Sequence, residues 1–200
     1  MTILSFSSVP APRRATRPTR ETPESESPGE GSHPEGAWRA WTHVLDGLLS
    51  ALGPSDFVAS DPDTSAYISL RRTATPGPGV RQLPHGLGAA AHLPRATGVA
   101  RAARDRGEAG LVVGLLDARS ALDPGFQDAL AFAAVWRAPI LFLAASTGAP
   151  GRVARLGQGH GVPGQTMSPA DEKDAAALLR PVLEAVKSSG PALVELSSAI

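Results

Sequence analysis

LPRATGVARAARDRGE (Leu93–Glu108) and, two residues on, LVVGLLDARSALDPGFQDALAFAAVWRAPILF (Leu111–Phe142) decide the fold. Pro94 suits the first turn of a helix running to about Arg106, with Gly107 as its stop. Leu111–Leu116 is an unbroken apolar run, the mark of a strand buried on both faces in a parallel sheet. Asp123 is placed to cap a helix through Trp136, with Phe126, Leu130, Ala133 and Ala134 on one face. Ile140–Ala144 is the next buried strand. Further on, Ser168 reads as the cap of a helix with Pro169 at its first position and Asp171 near the capping-box site. Ala192–Leu196 reads as a last strand. Strand and helix alternate, which predicts an α/β, doubly wound, mainly parallel sheet. Leu111–Leu116 and Ile140–Ala144 should be its central strands, covered on both faces by the helices from Leu93 and Asp123.

Upstream, Trp38, Trp41, Val44, Leu45, Leu48, Leu49 and Leu52 recur at helical spacing until Gly53-Pro54 stops the run. We read the two tryptophans as a packed helix face. Phe57–Ser60 suits a short strand before an Asp61-Pro62-Asp63 turn, and Thr73–Gly79 a Pro/Gly loop. Residues 1–36 carry six prolines, four arginines and then five glutamates, with almost no large apolar side chain after Phe6. Such a segment buries too little surface to offset its ordering entropy and is expected to be a disordered tail, leaving one domain over 37–200. Its arginines alone would suit an organelle transit peptide; the glutamates do not.

Composition narrows the function classes. Cysteine is absent, which removes disulfides, thiolate metal sites and a thiol nucleophile. Net charge is zero and no basic stripe with interleaved aromatics occurs, so no nucleic-acid partner is expected. No apolar run reaches the length of a membrane span, and the start lacks a charged leader; a soluble cytoplasmic protein is the expectation. There is no Gly-x-Ser-x-Gly elbow, no His-Glu-x-x-His and no phosphate loop ending in Gly-Lys-Ser/Thr. GLGAAA (Gly86–Ala91) follows no convincing strand and is discounted as a dinucleotide loop.

In such sheets ligands sit where loops leave the carboxyl ends of the strands, so 117–123 and 145–151 are the loops to watch. The framework from Leu93 to Ser197, and DALAFAAVW (Asp128–Trp136) above all, resembles the alpha subunit of the thiamine-diphosphate-dependent 2-oxo-acid dehydrogenases of the pyruvate and branched-chain type. The resemblance implies the thiamine-diphosphate-binding fold. In that family a strand like Leu111–Leu116 ends in Gly-Asp-Gly, whose Asp holds Mg²⁺ on the cofactor diphosphate; here those positions read Asp117, Ala118 and Arg119. The family's second ligand, an Asn after the next strand, is matched by Ser146, and the Tyr common beyond it by Ala149. The family's Leu-Pro-His-Ala histidine is matched by Arg95, although LPHGLG (Leu83–Gly88) keeps His85 ten residues earlier. GHGVPG (Gly159–Gly164) resembles a structural strand-leading segment of the family, and His160 within it is read as a surface or packing residue.

Mg²⁺ needs hard oxygen ligands in near-octahedral array, and Ala118 offers none. Asp117 stands one residue early, where strand alternation turns a side chain to the opposite face. Arg119 replaces the glycine that lets the backbone approach the phosphates. The pocket of Asp117, Ala118, Arg119, Ser120 and Ser146 therefore reads as vestigial, with no catalytic or metal-binding residue and no bound cofactor expected. The leading reading is a degenerate, non-catalytic relative serving as an interaction or scaffold protein, as a homo-oligomer or with a beta-subunit-like partner. One alternative is an active decarboxylating subunit using thiamine diphosphate, Mg²⁺ and a lipoyl acceptor. Another is a binder of a small anion through Arg119 and the helix end at Asp123.

Overall fold

The computed structural model describes residues 36–74, 79–85 and 90–197. Six parallel strands form one sheet in the order β2-β1-β3-β4-β6-β5. They are β1 Phe57–Ala59, β2 Arg81–Gln82, β3 Val112–Asp117, β4 Ile140–Ser146, β5 Gly164–Met167 and β6 Ala192–Ser197. The helices are α1 Thr42–Ala51, α2 Pro62–Ala74, α3 His92–Asp105, α4 Pro124–Trp136, α5 Arg152–Gly159 and α6 Glu172–Ser189. A 3₁₀ stretch, Gly36–Trp41, leads into α1, and another, Ala118–Leu122, links β3 to α4.

The apolar runs occupy the middle of the sheet: β3 pairs with β1 and β4, and β4 pairs with β3 and β6. Period-two alternation divides their side chains between two cores. Leu111, Val113, Leu115, Leu141 and Leu143 pack with Leu45 and Leu48 of α1, Ile68 of α2, and Leu179 and Leu183 of α6. Val112, Leu116, Ile140, Phe142 and Ala144 pack with Leu93 and Ala96 of α3, Phe126 and Leu130 of α4, and Val153 of α5. Both faces are covered, but not as the sequence suggested. The helices from Leu93 and Asp123 lie side by side on one face, and α1 with α6 supplies the other.

Several local expectations are corrected. Asp61-Pro62-Asp63 is not a free-standing turn but the start of α2: Asp61 takes the Thr64 N–H (2.9 Å) and hydroxyl (2.9 Å). Helix α2 therefore includes Thr73 and Ala74, and the remainder of the Thr73–Gly79 loop lies outside the described residues except for Gly79. The cap of α6 is Asp171, whose carboxylate accepts from Asp174 N at 2.8 Å, whereas the Ser168 hydroxyl donates to Ser197 O. Asp123 does cap α4, accepting from Gly125 N at 2.8 Å. Apart from Gly36, the expected tail lies outside the described residues, as do Gly86–Gly88 of the LPHGLG string. Among the described residues, no helix is long and apolar enough to cross a membrane.

Candidate functional site

At the carboxyl ends of β3, β4 and β6 lies a cleft of about 210 Å³. Asp117, Ala118 and Arg119 line it from the end of β3, Ser146 and the 147–149 loop from β4, Arg152 from α5 and Glu195 from β6. The two loops that topology singled out thus do converge, and four of the five candidate residues meet there. Ser120 does not line the cleft; it belongs to the 3₁₀ stretch, where its carbonyl accepts from Asp123 N at 3.0 Å.

The charges at the β3 end are committed to each other. The Asp117 carboxylate accepts from Arg119 N (2.8 Å), from Arg119 Nε at 3.0 and 3.1 Å, and from Arg119 Nη2 (2.6 Å). Hydrogen bonding to Asp117 holds the Arg119 guanidinium more firmly protonated than usual. The arginine is three-quarters exposed, so the pair adds little to stability. Its effect is local: Asp117 bends back over the turn that begins with Ala118. Strand alternation gives Asp117 the face of α1 and α6, whereas Ser146 and Glu195 fall on the opposite one. Ser146 is buried, and its hydroxyl accepts from Gly148 N at 3.3 Å.

Sequence reading missed Glu195. It is fully buried, and one oxygen, Oε2, accepts from Val153 N (2.8 Å) and Ala154 N (2.9 Å), the amides of the second and third residues of α5. Its other oxygen, Oε1, is buried without a hydrogen-bond partner among the described residues. The signal was available: one carboxylate interrupts an otherwise apolar strand, Ala192–Leu196, and a buried acid in such a run needs donors.

A second cleft, about 300 Å³, opens between Trp41, His43, Ser146, Thr147, Ser168 and Pro169. Trp41 Nε1 donates to Ser146 O at 3.4 Å, and His43 Nε2 lies 3.3 Å from Pro169 O. His85, Arg95 and His160 line neither cleft; Arg95 donates to Pro84 O at 3.1 Å. Asp123, the proposed anion-binding helix end, already fills that end with its own carboxylate. Among the described residues, no group of three or more His, Asp or Glu gathers in a metal-holding arrangement.

Two solved structures carry the same sheet. One is a protein taken to be a thiamin diphosphate-dependent enzyme, from Mycobacterium smegmatis (TM-score 0.57, 19% identity, 84% of this chain and 32% of that one). The other is benzoylformate decarboxylase from Polynucleobacter necessarius (TM-score 0.58, 13% identity, 78% of this chain and 32% of that one). The chain thus has the thiamine-diphosphate-binding fold and spans about a third of the length of each. No family model and no curated protein matches it.

Proposed function

We propose that the chain is a shortened, degenerate relative of the 2-oxo-acid dehydrogenase alpha subunit that has lost Mg²⁺ and cofactor and acts as an interaction protein. The observation that carries this reading is the Asp117–Arg119 pair beside Ala118. A cofactor diphosphate bound through Mg²⁺ needs carboxylate and carbonyl oxygens facing the metal, with backbone donors near the phosphates. Ala118 has no ligand atom, the Asp117 carboxylate is held by Arg119, and the Ser146 hydroxyl is engaged by Gly148. Two amides in the first turn of α5, which could have met a phosphate, are taken by Glu195. These residues do not fit the metal–diphosphate group.

The partner that suits an interaction role is a second copy of the chain. Phe132 and Trp136 stack at 5.0 Å on the outer side of α4, and Val135 beside them is 78% exposed. An apolar cluster of this kind marks a contact surface more often than scattered exposed residues do.

Calorimetric titration with thiamine diphosphate, with Mg²⁺ and then with excess chelator, tests the loss of the cofactor. No metal-dependent heat is expected from the unmodified chain. Binding is expected to need Ala118→Asp, Arg119→Gly and Ser146→Asn together, because ligand, access and carbonyl are each missing. Metal-dependent binding by the unmodified chain would overturn the reading and favour an active decarboxylating subunit.

A further inference from the structure

The geometry points to a different occupant for the cleft between β3, β4 and α5: a small zwitterion carrying a primary ammonium and a carboxylate, the size of a free amino acid. This rests on the reading that the cleft no longer takes a diphosphate. Four charged side chains line it, two acidic and two basic. Asp117 and Arg119 neutralise each other, which leaves Glu195 and Arg152 to decide what binds.

Glu195 is the more telling. A carboxylate can accept several hydrogen bonds, and Oε2 takes two amides while Oε1 takes none. An oxygen of this kind, enclosed in a low-dielectric wall, is costly until a donor reaches it. Glu195 has no solvent-accessible surface, so the donor must enter the wall rather than rest on it, and binding must open the wall slightly. A primary ammonium has three N–H donors and the charge to match. Arg152 is exposed on the same cleft and makes no ion pair or side-chain hydrogen bond among the described residues. Its guanidinium suits a carboxylate.

Net neutrality of the lining disfavours both extremes. A bare metal cation would meet two arginines, and a phosphate would find two amides in the first turn of α5 occupied. At about 210 Å³ the cleft also falls below the roughly 300–1,000 Å³ of sites for drug-sized molecules.

The test is titration of the full chain, by calorimetry or amide chemical shifts, with glycine, L-alanine and L-serine. Glycine betaine, which keeps both charges but has no N–H, and propionate, which has no ammonium, serve as contrasts. Saturable millimolar binding of the three amino acids is expected, with betaine and propionate at least about tenfold weaker. Glu195→Gln is the informative variant. Its amide oxygen must still face the two α5 amides, so its NH₂ replaces Oε1 and presents donors where an acceptor stood. Affinity should fall about tenfold while α5 stays capped. Should that variant fail to fold, Arg152→Ala, at an exposed position, should weaken the amino acids about fivefold and leave melting unchanged. Betaine binding as well as alanine, Glu195→Gln binding unchanged, or water alone completing Oε1 with no saturable binding would each overturn the proposal. Failure here leaves the cofactor reading intact, and metal-dependent thiamine diphosphate binding would defeat that reading separately.

Discussion

His92 shows how one buried side chain sets a pH dependence. Its Nε2 lies 2.8 Å from Leu115 O, which makes that nitrogen the donor of a neutral ring, and Nδ1 is buried without a partner among the described residues. Burial pushes the imidazole below its usual range; the bond to Leu115 and the field of Asp61 oppose that shift, and Arg95 reinforces it. A histidine with a depressed folded-state pKa is protonated more readily when unfolded. Its contribution to stability is therefore complete above the ordinary value of about 6.5 and declines as pH falls below it. Urea unfolding should show the native chain losing stability between about pH 7.5 and 5.5. In His92→Gln, which keeps a donor for Leu115 O but cannot titrate, that slope should be shallower. Equal slopes in the two proteins would assign the effect to other groups.

At the scale of elements, legibility followed burial. β3, β4 and β6 were readable because strands covered on both faces are predominantly apolar, and α4 because Asp123 and a long apolar face mark it. Helix α2 was missed because Asp-Pro-Asp suits a turn and a helix start equally. Helix α5 was missed because Gly157 and Gly159 stand in only eight residues. The candidate pocket was legible as two converging loops. Glu195 was not, since its partners are amides 41 and 42 positions away, a separation no local pattern encodes. Long-range packing also decides what glycines do. A Cβ on Gly47 of α1 would lie 2.5 Å from Glu172 O and 2.9 Å from Ala175 Cβ, where α1 meets α6. Alanine gains about 0.5–1 kcal/mol in a helix, but forcing apart backbone and methyl costs about 1–3 kcal/mol. Gly47→Ala should therefore lower stability by about 1 kcal/mol or more. Gly98, with nothing within 4 Å of its Cβ position, should gain about 0.5–1 kcal/mol on the same change. Denaturant midpoints of the two variants must move in opposite directions, and movement of both upward would deny the close α1–α6 contact.

For the molecule as a whole, a sheet covered on both faces leaves the outer side of α4 without a layer above it among the described residues. Phe132, Val135 and Trp136 are exposed there, with exposed Asp128 one turn before Phe132 on the same side. A closed dimer needs one self-complementary patch related by a two-fold axis. Antiparallel packing of α4 on its copy about such an axis joins Phe132, Val135 and Trp136 of the two chains. Such a contact has an aromatic centre, and buried aromatic side chains carry much of the energy in protein interfaces. Sedimentation velocity should show dimers that dissociate on dilution. Val135→Glu should give monomers, because symmetry places the new charge twice at an apolar contact. Val135 is 78% exposed, and glutamate favours the helix more than valine does, so folding should be unaffected. A native chain that stays monomeric at every concentration would remove the second copy as the partner, and with it the support that α4 lends to an interaction role.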